Sequence, residues 1–382
     1  MKPVQAVVLA LAGILSHSSP MVAQAANPSL VYIGTYTGAR SQGIYAARFD
    51  ATSGKLSAPE LAAEAKNPTF LAVSPNGRFL YAANEIGNFA GGTSGGISAY
   101  RIEKETGKLT LLNQQPSGGS GPCHVEVDKR GNCVLAANYG SGSVAVFKVA
   151  ADGRLAGPGF QVQHRGSSVN PQRQQGPHAH HITCDAANRF VLACDLGLDQ
   201  VLLYRFDSRQ ATLNANNPPS IALAPGAGPR HLAFHPNGRW VYVINELNST
   251  LSAFEYAPRS GTLTALSTVS TLPEGFAGRN SCAEVAVHPS GKYVYGSNRG
   301  DDSIALFAID PKTGRASFVA RESTRGKTPR HFALDPAGKW LLAENQDSND
   351  IFVFRVDAGS GRLEPVGGRV EVGAPVCLVF VR

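Results

Sequence analysis

One sequence pattern recurs about every 50 residues along this chain, and a repeat of that length is typical of a propeller or a solenoid. Its clearest copy covers residues 229–246 and reads PRHLAFHPNGRWVYVINE, and related copies begin at Asn67 and Thr328. In these copies two strand-like segments flank a turn in which proline presets φ and glycine takes a left-handed conformation. Positions that recur in every copy are expected to be scaffold, and function is expected where a copy departs from the others.

Each copy is predicted to contribute four strands, because segments rich in β-branched and aromatic residues alternate with turn residues. In the copy quoted above these segments are 231–235, 240–245, 250–256 and 263–271. The first strands of six copies start near Phe70, His124, His181, His231, Glu284 and His331. A seventh copy is divided between the chain ends, with 31–36, 43–50 and 56–65 near the start and 374–380 at the end. The sequence therefore predicts an all-β, seven-bladed β-propeller of four-stranded antiparallel blades, closed when the C-terminal strand joins the N-terminal blade.

The first 25 residues have the features of a signal peptide rather than those of a folded segment. Lys2 supplies a positive charge, residues 7–15 are apolar, and the sequence AQA at 23–25 fits a cleavage site. The apolar run is shorter than the roughly 20 residues that span a bilayer, so no membrane partner is expected. We therefore predict a signal peptide at 1–25, a single propeller domain at 26–382 and export to the periplasm.

Charge and cysteine content narrow the class of ligand. The formal charge of +7 is modest for 382 residues, and the lysines and arginines are scattered along the chain. No nucleic-acid partner is therefore expected, and a small anionic ligand fits better.

The six cysteines show neither C-x-x-C nor Cys/His metal spacing, so they are expected to be buried thiols. We expect the chain to act as a monomer without a metal or any other cofactor.

Two positions of the repeat face one mouth of the predicted channel and vary from blade to blade. Strand one runs away from that mouth and strand two returns, so the residue before the recurrent histidine lies near the residue after the recurrent asparagine. Across blades one to seven the first position is Val376, Thr69, Cys123, His180, Arg230, Ala283 and Arg330. The second position is Tyr36, Glu85, Tyr139, Asp195, Glu246, Arg299 and Gln346. Because the ionisable members concentrate on blades four to seven, the functional site is predicted there.

The recurrent histidines are interpreted as hydrogen-bonded scaffold because they share one repeat position. They are His124, His181, His231 and His331. At the same position blade six carries Glu284, a departure that makes this carboxylate a candidate substrate contact. His178 joins His180 on one side of an extended segment, because residues i and i+2 share a face. The long loop at 165–178 is expected to arch over the mouth beside them.

The most specific stretch of the chain is NPQRQQGPHAH at 170–180, followed by GPRH at 228–231 and by the pair Asn-Glu at 245–246. With these motifs the chain resembles the seven-bladed propeller lactonase family. That family includes the propeller-type 6-phosphogluconolactonases and the carboxymuconate-lactonising enzymes. The resemblance extends over nearly the whole predicted domain and implies the same propeller fold.

The resemblance also implies a catalytic group of four residues, two of which have alternatives. The group is His180, Arg230, Glu246 and Arg299, with His178 an alternative to His180, and with Arg279 and Arg330 alternatives to Arg299. We predict that these four residues act in catalysis. The residues predicted to bind substrate are His178, Arg279, Glu284 and Arg330.

Lactone hydrolysis requires a base that activates water and a fixed positive charge where the carbonyl oxygen becomes anionic. Either Glu246 or His180 fits the base, and Arg230 fits the oxyanion site. Arg299 and Arg330 fit bidentate binding of a phosphate or carboxylate on the substrate. No plausible set of metal ligands is present in the sequence, so a metal-independent reaction is expected.

We therefore predict a 6-phosphogluconolactonase-like hydrolase that opens a small anionic sugar lactone. Since export removes the chain from the cytosol, where phosphogluconolactone occurs, another periplasmic lactone is an open alternative. Two further functions also remain open. One is a carboxymuconate-type lactonising enzyme or cycloisomerase, and the other is a non-catalytic periplasmic propeller that binds a ligand at the same mouth.

Overall fold

The computed structural model describes Met1, Pro3, Val4 and residues 28–381. The apolar run and cleavage motif of the predicted signal peptide lie outside the described residues, so the division between residues 25 and 26 stays a prediction. Within the described residues, no helix is long and apolar enough to cross a membrane.

In this part of the chain 29 strands form seven antiparallel sheets, each of which is one blade. Blade 1 combines β1 (Ser29–Thr35), β2 (Gly43–Asp50), β3 (Lys55–Leu56) and β4 (Glu60–Glu64) with β29 (Pro375–Phe380). Blade 2 contains β5 (Pro68–Val73), β6 (Phe79–Asn84), β7 (Gly96–Ile102) and β8 (Leu109–Pro116). Blade 3 contains β9 (Pro122–Val127), β10 (Cys133–Asn138), β11 (Ser143–Val149) and β12 (Leu155–Gln163). Blade 4 contains β13 (Ala179–Cys184), β14 (Phe190–Asp195), β15 (Gln200–Asp207) and β16 (Thr212–Ala222).

The three remaining blades follow the same order from the channel outwards. Blade 5 contains β17 (Pro229–Phe234), β18 (Trp240–Asn245), β19 (Thr250–Ala257) and β20 (Thr262–Ser270). Blade 6 contains β21 (Ser281–Val287), β22 (Tyr293–Arg299), β23 (Ser303–Ile309) and β24 (Ala316–Ser323). Blade 7 contains β25 (Pro329–Leu334), β26 (Trp340–Asn345), β27 (Asp350–Val356) and β28 (Leu363–Glu371). One turn of 3₁₀ helix, Phe89–Gly91, precedes β7.

This architecture confirms the predicted seven-bladed propeller and its closure, since β29 pairs with β1 in blade 1. In blade 5 the second strand has the predicted bounds, whereas the first begins at Pro229, which pairs with Asn245 across a bulge. The outer segment predicted at 56–65 divides into β3 and β4. Pro59 lies in the gap between them, and its lack of a backbone N–H interrupts the ladder.

Buried side chains of neighbouring blades interlock and form the cores between the sheets. For example, Leu192 and Leu203 of blade 4 pack with Leu232 and Val243 of blade 5. All six residues of the second strand β18 are buried, while the outermost strand β20 is largely accessible. The ring therefore buries apolar surface at every junction between blades.

A recurrent tyrosine ties each of several blades to the next one. The hydroxyl of Tyr242 in β18 donates to the carbonyl of Gly314 in the outer hairpin of blade 6, at 2.8 Å. Tyr81 bonds Gly153 at 3.0 Å and Tyr295 bonds Gly361 at 2.7 Å in the same way. The equivalent Tyr32 of blade 1 is equally buried, but its hydroxyl has no hydrogen-bond partner within the described residues.

The junction between blades 7 and 1 is held by Trp340, which lies edge-on to Phe49 with ring centroids 6.2 Å apart. The indole N–H of Trp340 donates to the carbonyl of Ala51 at 2.9 Å. All six cysteines are buried and free, which confirms the expectation of buried thiols.

Comparing Tyr242 with Tyr32 measures how much the hydrogen bond between blades contributes to the free energy of unfolding. Tyr242→Phe leaves the Gly314 carbonyl unpaired, and we expect it to lower the free energy of unfolding by about 1 kcal/mol. Tyr32→Phe removes a hydroxyl that makes no such bond and is expected to cost less. Urea denaturation of both variants checks this, and equal losses in the two would contradict it.

Candidate active site

The recurrent first-strand residues form an aromatic layer across the central channel. Phe70 and His124 lie with ring centroids 4.2 Å apart, His124 and His181 4.0 Å apart, and His181 and His231 4.8 Å apart. Burial, followed by the charge of nearby cationic groups, lowers the pKa of His124 and His231 well below the usual value. His124 and His231 are therefore packed, neutral rings, as expected for scaffold.

Glu284 belongs to this layer and not to the lining of the cavity above it. Its Oε2 atom shares a hydrogen bond with His231 Nδ1 at 2.9 Å and lies 3.5 Å from His331 Nε2. His331 Nδ1 in turn lies 2.5 Å from Glu344 Oε2. Burial lowers the pKa of His331, but Glu344 and then Glu284 outweigh it and raise that pKa. Glu284 is therefore the partner of buried histidines rather than one of the groups brought together at the mouth.

A β-bulge at the start of the first strand turns the variable repeat position towards the mouth. In blade 5 Pro229 pairs with Asn245 and His231 with Ile244, which leaves Arg230 as the extra residue. The same shift leaves out Thr69, Cys123, His180, Arg330 and Val376 in five other blades. Bulges commonly re-aim side chains beside functional sites. The bulge explains why neighbours in sequence have different roles, with the histidine in the layer and the preceding residue above it.

A cavity of about 340 Å³ lies at this mouth. Its lining residues are Tyr36, Glu85, Cys123, Tyr139, Arg173, His180, Glu246, Ser281, Arg299 and Arg330. Eight of them occupy the two variable repeat positions identified in the sequence, and the others are Arg173 and Ser281. The structure therefore brings His180, Glu246, Arg299 and Arg330 together as predicted.

Three arginines converge on the carboxylate of Glu246. Arg173 donates from Nη2 to Oε1 at 2.7 Å, while Arg230 Nε and Arg299 Nη2 lie 3.1 Å and 3.0 Å from Oε2. Arg230 is only 2% exposed, and its Nη1 donates to the carbonyl of Ala283 at 2.7 Å. The carboxylate thus connects the loop before blade 4 with blades 5 and 6.

The ionisation of this cluster is set by burial and by its own charges. Burial by itself raises the pKa of Glu246, but the three guanidinium groups outweigh it and lower the pKa to about 2. Burial, and then repulsion by Arg299 and Arg330, lowers the pKa of Arg230 to about 9. At pH 7 both groups are therefore charged, and Glu246 is a very weak base.

His180 differs from the charged groups around it. It is 4% exposed, and its Nδ1 atom has no hydrogen-bond partner in the described part of the chain. Burial, and then the positive charge of Arg230, lowers the pKa of His180 well below the usual value. The imidazole is consequently neutral at pH 7 and carries one ring nitrogen without a proton.

His178 stands beside the cavity rather than in its lining. Its ring is stacked on Tyr139 with centroids 4.5 Å apart, and its Nδ1 atom bonds the Tyr139 carbonyl at 2.9 Å. Both contacts fix Tyr139, whose hydroxyl accepts a hydrogen bond from Arg173 at 3.0 Å. His178 therefore supports a wall of the cavity.

Arg330 and Arg279, the two alternatives for the last arginine, lie in very different places. The Arg330 guanidinium carbon lies 5.4 Å from the centroid of the Tyr36 ring, inside the cavity. Within the described residues Arg330 makes no ion pair with a carboxylate, in contrast to the three arginines on Glu246. Arg279 is exposed on the segment before β21 and is not part of the lining.

The loop at 165–178 covers the mouth as expected and supplies Arg173, a residue that the repeat did not identify. Asp195, fully buried, holds both ends of this loop. Its Oδ2 accepts from His164 Nδ1 at 2.6 Å, and its Oδ1 accepts from the His178 backbone N–H at 2.7 Å. The other nitrogen of His164 accepts from the Tyr204 hydroxyl at 2.8 Å. The sequence signals for Arg173 were the unusual length of its loop and its place in the motif at 170–180.

No group of three or more His, Cys, Asp or Glu side chains among the described residues is arranged to hold a metal ion. The groups at the mouth are instead four guanidinium groups, two carboxylates, a neutral imidazole and several hydroxyls. Such an arrangement can bind an anion and stabilise a developing oxyanion.

Comparisons with known proteins agree on one family. The family model described as "Lactonase, 7-bladed beta-propeller" matches residues 30–380. A 6-phosphogluconolactonase of Bacillus subtilis strain 168 is 39% identical over 351 residues, covering 92% of this chain and 98% of the relative. A 6-phosphogluconolactonase of Formosa agariphila is 34% identical, covering 80% of this chain and 86% of the relative. The solved structure of a periplasmic gluconolactonase of Pseudomonas aeruginosa has a TM-score of 0.86 at 35% identity, covering 93% of this chain and 99% of that one.

The hydrogen bonds of Asp195 to both ends of the loop at 165–178 give one prediction. Asp195→Asn places an amide N–H where only acceptors fit, so the ends of the loop should loosen. We expect faster hydrogen exchange across 165–178, measured by mass spectrometry, while the exposed Asp152→Asn leaves this segment unchanged. Unaltered exchange in Asp195→Asn would show that the carboxylate does not hold the loop.

The charges on Glu246 give a second prediction, for stability against pH. Removing one partner of a buried ion pair costs about 3–5 kcal/mol, so Glu246→Gln should lower the free energy of unfolding at pH 7. The folded pKa lies below the usual 4.5, so the stabilisation is present above pH 4.5 and is lost as pH falls towards 2. The difference between wild type and Glu246→Gln should therefore shrink over that range in urea titrations. The exposed Glu64→Gln serves as control, and a difference that does not change with pH would refute the assignment.

Proposed function

This chain belongs to the seven-bladed β-propeller lactonase family, and on that premise we propose that it opens an anionic sugar lactone to the open-chain acid in the periplasm. It is a lactone hydrolase, as its relatives from Bacillus subtilis and Pseudomonas aeruginosa are. The periplasmic location is supported by the leader-like N-terminus and by the name of the Pseudomonas relative. The anionic nature of the substrate is supported by the charges at the mouth.

One observation carries the proposal: the cavity contains more positive charge than it neutralises. Arg173, Arg230 and Arg299 share the carboxylate of Glu246, while Arg330 has no ion pair in the described part of the chain. A guanidinium presents a planar set of donors that matches phosphate or carboxylate bidentately. Arg330 is therefore assigned to the anionic group of the substrate, and the shared cluster to the lactone carbonyl.

We assign the base to His180 rather than to Glu246. A carboxylate with a pKa of about 2 that contacts three guanidinium groups accepts a proton poorly. The neutral imidazole of His180 can take a proton from water as the water oxygen bonds to the carbonyl carbon. When the ring C–O bond breaks, the same imidazole returns the proton to the departing oxygen.

The arginines stabilise the negative charge that forms on the carbonyl oxygen. Arg299 lies in the cavity lining, while Arg230 is almost fully buried outside it and is held by Glu246 and by the Ala283 carbonyl. Preorganised cations of this kind need no rearrangement when the oxyanion appears. Glu246 is thus assigned a positioning role: it sets the direction of the guanidinium groups and offsets their repulsion.

A pH-stat assay with 6-phosphogluconolactone and glucono-δ-lactone tests both assignments. His180→Asn should lower kcat for either lactone by about 10²–10⁴-fold, the usual contribution of a general base. Arg330→Gln should lower kcat/KM for the phosphorylated lactone by about tenfold or more, because a charged hydrogen bond is lost, and should change the neutral lactone little. Arg315→Gln, an exposed arginine on the outer hairpin of blade 6, is the control.

Three outcomes would refute this account. Full activity in His180→Asn would show that His180 is not the base. Equal losses for both lactones in Arg330→Gln would show that Arg330 does not bind the anionic group of the substrate. Wild-type protein that opens neither lactone would contradict the proposed substrate class itself.

A further inference from the structure

The cavity contains a second carboxylate, Glu85, whose surroundings are unlike those of Glu246. The Tyr36 hydroxyl lies within hydrogen-bond distance of both Glu85 oxygens, at 2.8 Å and 2.9 Å. The Thr69 hydroxyl donates to Oε2 at 2.7 Å. No basic side chain in the described ranges forms an ion pair with Glu85, since the ion pairs at this mouth all involve Glu246. Glu85 is therefore a carboxylate held by hydroxyl groups alone.

This difference leaves Glu85 as the main hydrogen-bond acceptor available to a ligand. An ionised carboxylate has about four acceptor sites on two oxygens, and among the described residues Oε1 of Glu85 accepts a side-chain hydrogen bond only from Tyr36. The oxygens of Glu246 face three guanidinium groups, and arginines only donate. A ligand hydroxyl that enters the cavity finds its charged acceptor at Glu85.

Tyr36 joins this acceptor to the anion-binding arginine. Its hydroxyl bonds Glu85, while its ring faces the guanidinium of Arg330, whose central carbon lies 5.4 Å from the ring centroid. One side of the cavity therefore offers a cation and an acceptor next to each other. A ligand that carries both an anionic group and hydroxyl groups matches this wall, whereas a second anionic group would be repelled by Glu85.

We propose that Glu85 determines substrate specificity by accepting hydrogen bonds from the hydroxyl groups of a sugar lactone. The inference rests on the lactonase function proposed above and adds the group that distinguishes polyhydroxylated lactones from others. Charge-assisted hydrogen bonds to ligand hydroxyls discriminate strongly, because an analogue without the hydroxyl leaves an acceptor site of the half-buried carboxylate unfilled. Unsaturated dicarboxylate lactones, which carry carboxylates in place of hydroxyls, are disfavoured at the same position.

Two lactones of one ring size test the inference within a single protein preparation. Glucono-δ-lactone carries ring hydroxyls, and δ-valerolactone has the same six-membered ring without them. Glu85→Gln keeps the shape of the side chain and removes its charge. We expect kcat/KM for glucono-δ-lactone to fall about tenfold, the usual effect of losing a charged hydrogen bond, while δ-valerolactone changes less than about twofold. The measured quantity is the ratio of the two kcat/KM values.

The rate with δ-valerolactone, which has no hydroxyl groups, reports on folding and catalysis. Glu64 is an exposed glutamate on β4, and Glu64→Gln is the control for loss of a negative charge. A ratio that stays at the wild-type value in Glu85→Gln overturns the inference, whether both rates fall together or neither changes. Hydrolysis of both lactones by wild type with an unchanged ratio in Glu85→Gln leaves the lactonase function intact. Wild-type protein that hydrolyses neither lactone contradicts the lactonase function, and the inference with it.

Discussion

The ion cluster on Glu246 is the interaction on which the rest of the site depends. Arg230 is almost fully buried, and this burial, followed by repulsion from Arg299 and Arg330, lowers its pKa. A single carboxylate between Arg173, Arg230 and Arg299 offsets that repulsion and fixes three chain segments in one arrangement. Without it, the cations would separate or take up counter-ions, and no preorganised positive site would remain for an oxyanion. The stability of the mouth and its chemistry therefore depend on the same contacts.

The repeat provides the positions at which this cluster can be built. A bulge at the start of each first strand separates the recurrent histidine from the residue before it, so that His231 packs in the central layer and Arg230 lies above it. The rings of this layer contact one another from blade 2 to blade 5. The residue at the bulge position differs from blade to blade, and these differences change the cavity without disturbing the sheets. The same blade structure can therefore carry both scaffold and site residues.

Most of the fold and much of the site could be predicted from the sequence, because both follow the repeat. His180, Glu246, Arg299 and Arg330 meet because the two variable positions are fixed by the strand register. Glu284 lies at the histidine position that the repeat gave it, in the layer with His231 and His331, and its contact with substrate stays a prediction.

Residues outside the repeat could not be placed in this way. Arg173 lies on a loop without a counterpart in other blades, so only the structure shows that it reaches Glu246. Arg279 lies on an irregular segment before β21 and is exposed. The repeat places Glu85, Tyr36 and Thr69 at one mouth, but only the structure shows that the hydroxyls of Tyr36 and Thr69 bond the Glu85 carboxylate.

The most direct test of the central claim, that an anionic sugar lactone is opened in this cavity, is a crystal structure of His180→Asn with 6-phosphogluconate, the open-chain acid. The account predicts the acid in the cavity, with its phosphate in hydrogen-bond contact with Arg330 and a hydroxyl group in contact with Glu85. Binding at another face of the propeller, or an empty cavity under conditions in which the wild type hydrolyses the lactone, would contradict it.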